Sequence, residues 1–195
     1  MLKSLLMAAT EQPPFEPRLL LAEINRHFAT AVLPGNFASM FLGRWQPESG
    51  ELSWASAGHE PGILLTQTGR LDQLSSTGLL LGVDSEADWT QLSVHLEEGD
   101  RVLLFSDGAT ETRCPDGELF GREQLTARFS QCDGLTPGEV LKRIKELLDR
   151  HRFEGPLRDD LTLVMLQCGD FSERTVPEAN DAHTIDVSAA SASME

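Results

Sequence analysis

Val102-Leu103-Leu104-Phe105-Ser106-Asp107-Gly108-Ala109-Thr110-Glu111 is the stretch from which the fold is read. Four consecutive apolar residues, Val102 to Phe105, have the make-up of a strand buried on both faces, and Ser106-Asp107-Gly108 stops the run. An aspartate is thus delivered to the end of a core strand. A carboxylate in that place suits a hard cation such as Mg2+ or Mn2+, and Gly108 behind it lets the backbone turn and bring a carbonyl close to a ligand. The same residues would also serve as an Asp-Gly turn that only ends a strand.

Working outward, Arg158-Asp159-Asp160-Leu161-Thr162-Leu163-Val164-Met165-Leu166 repeats the pattern in reverse, acids first and then an apolar run of strand length. If the two runs are antiparallel neighbours, the end of one lies beside the start of the other, and Asp107 and Asp159 share a site. Adjacent carboxylates repel, and a cation between them relieves the repulsion. A polar turn before a strand is the plainer reading of Asp159-Asp160. Arg158, next to the pair, is a candidate to steer phosphate, or else an ordinary balancing charge.

The chain between and around these runs is expected to be α+β. Leu2 to Ala9 reads as a helix, and Gln12-Pro13-Pro14 breaks it. From Pro17, Leu20, Ile24, Phe28 and Ala31 fall at helical spacing up to Pro34-Gly35. Phe37 to Trp45 and the segment around Leu52 and Trp54 read as a hairpin across Gln46 to Gly50. Ala57-Gly58-His59-Glu60-Pro61-Gly62 is a stiff turn that holds His59, a candidate clamp or proton-transfer group as well as a structural residue. Ile63 to Leu65, Thr68-Gly69-Arg70 and the alternating Leu92, Val94 and Leu96 give further strands and turns. The last is expected to pair with the Val102 strand across Glu97 to Asp100. Gly121 to Ser130 reads as a helix. In the next one Thr136 and Glu139 form a capping-box pattern with Pro137 first, and Val140, Ile144, Leu147 and Leu148 make the stripe. From Gly169 the chain is rich in Ser, Ala and acids without periodicity, so residues 1–168 are expected to be the domain and residues 169–195 a disordered acidic tail.

Helices outside a run of strands argue for antiparallel sheet with helices on its faces, against a doubly wound parallel sheet. The formal charge of −15, from 31 acids against 16 Lys and Arg, argues against nucleic acid and anionic membrane as partners. Leu5 to Ala9 is too short an apolar run for a secretory signal, so a cytoplasmic protein is expected. Three cysteines without Cys-x-x-Cys spacing indicate neither disulfides nor zinc.

With these residues placed, the sequence resembles the PPM-type metal-dependent protein phosphatases, in their bacterial SpoIIE-like branch. The resemblance is carried by Leu5-Leu6-Met7-Ala8, Ala57-Gly58-His59-Glu60-Pro61, Gly78 with Leu81-Gly82, Gly99-Asp100, Ser106-Asp107-Gly108-Ala109-Thr110-Glu111, Phe120-Gly121 and Asp159-Asp160-Leu161-Thr162, in that order. It implies an antiparallel β-sandwich flanked by helices (αββα) and a site for two Mn2+ or Mg2+ ions. It also implies hydrolysis of phosphoserine or phosphothreonine on a phosphorylated regulatory protein, such as an anti-sigma-factor antagonist. Asp107 and Asp159 match the family's metal-binding acids. Asp160, Gly108, Glu111 and His59 are further candidates for ligation or support, with Glu111 better suited to a helix start or a hydrogen bond. The implied chemistry is in-line attack by a metal-activated water, with no covalent enzyme intermediate and no nucleophilic role for Ser106.

The chain departs from the family at its start. A complete member carries, just before the Leu-Leu-Met-Ala helix, a Gly-Asp-Val segment whose aspartate bridges both metals, and here Met1 stands where that segment has ended. The expectation is therefore a domain truncated at its N-terminus, holding one metal weakly with little turnover and prone to homo-association through open sheet edges. A non-catalytic protein-binding module that keeps the fold is the rival.

Overall fold

The computed structural model describes residues 15–33, 35–153, 155 and 158–169 and the backbone of 188–192. The helix expected over Leu2 to Ala9 lies outside the described residues. Two compact units divide the chain, one comprising Met1–His59 with Ser75–Leu96, the other Glu60–Leu74 with Glu97–Glu195.

The first unit holds helix α1 (Pro17–Ala31) and a three-stranded antiparallel sheet of β1 (Met40–Gln46), β2 (Glu51–Ala57) and β5 (Leu92–His95), ordered β1-β2-β5. Proline at the first helical position starts α1 where its missing N–H is not needed. Leu20, Leu21 and Ile24 on its inner stripe pack with Ala55, Ala57, Leu81 and Trp89. Asn25 is buried in the same stripe because its amide group is fully used. It donates to the carbonyls of Asp84 (2.8 Å) and Ser85 (3.3 Å) and accepts from the Gly82 N–H (2.9 Å), which pins the 82–85 loop.

The second unit holds a five-stranded antiparallel sheet ordered β4-β3-β6-β7-β8. Its strands are β3 (Gly62–Leu65), β4 (Leu71–Leu74), β6 (Arg101–Phe105), β7 (Leu161–Gln167) and β8 (Ser188–Ala192), and its helices are α2 (Asp107–Thr110), α3 (Arg122–Phe129) and α4 (Pro137–Arg152). Leu125 and Phe129 of α3 and Val140, Leu141, Ile144 and Leu148 of α4 share one core with Leu103, Phe105, Leu161, Leu163 and Met165. Each such side chain contributes roughly 1.5–3 kcal/mol by leaving water. The capping box is formed as expected, with the Glu139 N–H donating to Thr136 Oγ1 and the Thr136 N–H donating to Glu139 Oε2 at 2.9 Å. Arg101 is buried without a carboxylate, its guanidinium donating to the carbonyls of Cys132 (2.7 Å) and Leu135 (3.0 Å) and so fixing the turn into α4.

Two expectations are corrected. The Leu92 strand does not pair with the Val102 strand: β5 joins β2, and β6 joins β3 and β7. The turn between them explains why. Asp100 accepts from the Gln67 N–H (2.8 Å) and the Glu97 N–H (2.9 Å), while the Gly99 N–H donates to the Cys168 carbonyl (2.9 Å), so this connection is fastened within the second unit instead of closing a hairpin. The stretch expected to be a disordered tail contains β8, paired antiparallel to β7 from Leu161↔Ala192 to Met165↔Ser188. Ser and Ala have weak strand propensity, but the outer edge of β7 presents free backbone groups that recruit any extended partner.

Candidate metal centre

The site is built where β6 ends and β7 begins. These strands are antiparallel neighbours, in register from Arg101↔Gln167 to Phe105↔Leu163, so the acids that follow one and precede the other lie at the same end of the sheet. Ser106 extends the pairing by one step. Its N–H donates to the Thr162 carbonyl (3.0 Å), its hydroxyl donates to the Asp160 carbonyl (2.8 Å), and the same oxygen accepts from the Thr162 N–H (2.9 Å). Three hydrogen bonds thus fix the strand end from which Asp107 projects against the backbone of Asp160.

Beyond Ser106 the chain makes the single helical turn of α2, where the sequence indicated only a backbone turn at Asp107-Gly108. The Glu111 N–H donates to the Asp107 carbonyl (2.7 Å), Thr110 Oγ1 donates to the same carbonyl (3.1 Å) and Thr112 Oγ1 to that of Gly108 (2.7 Å). Glu111 therefore stands at the C-cap of this helix and not at a helix start, one of the two roles, with hydrogen bonding, expected for it. Gly108 is buried where α2 meets β7: a Cβ there would lie 2.5 Å from the Asp160 carbonyl oxygen and 3.5 Å from that of Asp159. Only a residue without a side chain allows this approach.

Asp107, Asp159 and Asp160 are exposed, so their carboxylates keep access to solvent and to a ligand. Asp159 Oδ1 accepts from the Asp160 N–H (2.7 Å), which orients the first acid of the pair. Next to it lies a cleft of about 100 Å3. Gly108 and Thr112 line it together with Glu111 and Asp159, and three arginines, Arg113, Arg152 and Arg158, face it. His59 belongs to the first unit, where its Nδ1 lies 3.2 Å from Ser39 Oγ.

The donor set fits a hydrated hard cation. It consists of carboxylates, with no thiolate or imidazole at the strand ends, and Mg2+ or Mn2+ commonly takes one or two carboxylates and completes its shell with water. It is not a closed cage: among the described residues no group of three or more His, Cys, Asp and Glu is placed to hold a metal ion.

Sequence reasoning passed over Ser106, Arg113 and Arg152. Ser106 was considered only as a nucleophile, although its position one before the acid marks it as a strand-end clamp. Arg113 reaches the cleft because residues 113–119 form a tight hairpin, with an isolated bridge between Arg113 and Leu119. Arg152 reaches it because α4 ends there, its guanidinium donating to Asp149 Oδ1 (3.1 Å) and to the Gly155 carbonyl (2.6 Å). Burial pushes the Cys132 and Cys168 thiols up.

Comparison with known proteins agrees with this architecture. The family described as Stage II sporulation protein E (SpoIIE) matches residues 1–169. The phosphoserine phosphatase RsbU of Bacillus subtilis is 33% identical over 163 residues, which are 83% of this chain and 48% of RsbU, so the chain spans about half of that relative. The SiaA-PP2C domain of Pseudomonas aeruginosa superposes with a TM-score of 0.73 at 17% identity, covering 85% of this chain and 65% of that one. The phosphatase domain of SpoIIE from Bacillus subtilis, presoaked with Mn, superposes with a TM-score of 0.60 at 18% identity, covering 87% and 70%. At these identities the two structural likenesses establish the fold: α+β, with antiparallel sheets flanked by helices.

Proposed function

This chain belongs to the SpoIIE family of PP2C-type phosphatase domains, and from that premise we propose that it is a metal-dependent serine/threonine protein phosphatase of bacterial signal transduction. One observation carries the reading: the ends of β6 and β7 are locked together by Ser106, with Gly108 against the Asp160 carbonyl, so that Asp107 and Asp159, remote in sequence, lie at the same end of one sheet. Asp107 and Asp159 would hold Mn2+ or Mg2+, with Asp160 as a further donor. Bound there, the cation supplies Lewis-acid activation of water and neutralises charge on a phosphoryl group. The protein's own contribution is positional. Ser106 fixes the spacing of the acids, Gly108 permits the close approach of α2, and the Asp160 N–H orients Asp159.

The substrate is a phosphorylated regulatory protein, such as an anti-sigma-factor antagonist. The name of RsbU, a phosphoserine phosphatase, supports phosphoserine as the group removed, and the net charge of −15 argues against nucleic acid or anionic membrane. Among the described residues no helix is long and apolar enough to cross a membrane. Residues 1–168 would form the body of the phosphatase domain, to which β8 adds an edge strand.

The test is phosphate release from a phosphoserine peptide. The expected result is release that requires Mn2+ and is lost with chelator or with Asp107→Asn. Release that survives Asp107→Asn ends the catalytic reading. A second reading, a protein-binding module without turnover, is favoured by the lack of a three-donor group among the described residues. Capture of the phosphopeptide without hydrolysis in saturating Mn2+ would select it.

A further inference from the structure

We propose that the cleft beside Asp159 is a binding site for the phosphoryl dianion of the substrate's phosphoserine or phosphothreonine, held by Arg158 and Arg113 against the fixed charge of Arg152. The identity of the substrate rests on the phosphatase reading above. The site itself rests on the placement of these arginine donors.

The chain carries nearly twice as many acids as Lys and Arg, 31 against 16, yet three arginines line this one cleft beside two acids, Glu111 and Asp159. Asp149 is paired with Arg152 and Asp160 adjoins Asp159, so an anion is drawn here by the directed donors of Arg113 and Arg158 and not by an excess of charge. The three arginines are not equally committed. Arg152 is bound on every side, to Asp149 and to the Gly155 carbonyl, and is a fixed charge. Arg113 uses Nη1 on the Gly117 carbonyl (3.0 Å) within a hairpin closed by the Cys114 N–H to the Glu118 carbonyl (3.0 Å), which leaves its other donors for a ligand. Arg158 is exposed and has no hydrogen-bond or ion-pair partner among the described residues.

A planar guanidinium fork matches two oxygens of a phosphate, and charge-assisted bonds of this kind are roughly twice as strong as neutral ones. The volume suits the ligand, since about 100 Å3 is several times the ~10–15 Å3 that a single water needs. Asp159 lies on the wall of the same cleft, so a phosphoryl group held by the arginines is presented to the acids proposed to hold the cation.

The experiment is equilibrium binding to the full chain with EDTA present, using three probes: inorganic phosphate, a phosphoserine peptide and its unphosphorylated form. The proposal expects the phosphopeptide to bind and inorganic phosphate to compete with it. Arg158→Gln and Arg113→Gln should each weaken binding by about tenfold or more, the loss of a charge-assisted contact, with Arg158→Lys intermediate. Arg70→Gln, at an exposed arginine paired with Asp72 and outside the cleft lining, should leave binding unchanged. Equal binding of the unphosphorylated peptide, binding of inorganic phosphate alone, or indifference to Arg158→Gln would each overturn it. Because no metal and no turnover enter the measurement, failure of the phosphatase reading, seen as absent Mn2+-dependent release, is read separately.

Discussion

Alanine at position 108 is the sharpest perturbation of the site, because it adds one methyl group at the place where α2 touches the strand that carries the other acids. Its Cβ would lie 2.5 Å from the Asp160 carbonyl oxygen and 3.1 Å from the carbonyl carbon, both backbone atoms with no rotamer to move. Ordinary non-bonded contact is about 3.5 Å, so α2 and the start of β7 must separate by roughly 1 Å. Forced overpacking of a well-packed contact costs about 1–3 kcal/mol, and the better helix propensity of alanine returns up to ~1 kcal/mol. A net loss of about 1–2 kcal/mol lowers Tm by roughly 2–8 °C in a domain of this size. Stability is one readout, and Mn2+ affinity is the more telling one. Serine clamps at 106 would hold while Asp107 swings away from Asp159, so affinity should fall by more than the stability loss alone accounts for. Calorimetric unfolding and Mn2+ titration of the same variant check both. A Gly108→Ala protein that is as stable as the parent and binds Mn2+ as well would refute the close approach from which the site is built.

Ser106→Ala deletes a hydroxyl that donates to the Asp160 carbonyl and accepts from the Thr162 N–H, and should lower unfolding free energy by about 1–3 kcal/mol, measured by urea denaturation. Phe153 is exposed and held at φ 46° after α4, so Phe153→Gly should raise the urea midpoint by relieving about 1–2 kcal/mol of left-handed strain. Burial pushes the Asp149 carboxyl up, but hydrogen bonds and charge from Lys145 and Arg152 outweigh it, and the pKa ends below the usual carboxylate value of 3.8. A depressed acid stabilises the fold above its unfolded pKa and loses that contribution as pH falls through the folded one. Asp149→Asn should therefore be less stable than the parent at pH 7, and the gap should close below about pH 4; denaturation midpoints across that range give the answer.

Much of the second unit was legible because its signals are local. The box of Thr136 and Glu139 with Pro137 fixed the start of α4, and two apolar runs bounded by acids gave β6, β7 and their shared end. The misreading of β5 has a different origin. A turn of Glu-Glu-Gly-Asp says that the chain bends, not which sheet receives it, and that was decided by the Asp100 carboxylate bonding to Gln67, 33 positions back in sequence. Four residues of α2 are too few to display a helical period, and its cap makes no side-chain hydrogen bond to announce it. Within the candidate site, the acids were visible as residue types at strand ends, whereas Arg113 and Arg152 reach the cleft through a hairpin and a helix terminus that carry no motif.

The clamp between Ser106 and Asp160 spans 54 positions of chain, and that distance has a consequence for biosynthesis. At ~5–20 residues per second, a ribosome needs roughly 3–11 s to deliver the second half of the clamp after the first has emerged. Until then β6 has a bare, apolar flank with no β7 to cover it. A nascent chain in this interval exposes that flank, and the site is assembled only once the second half of the clamp has emerged.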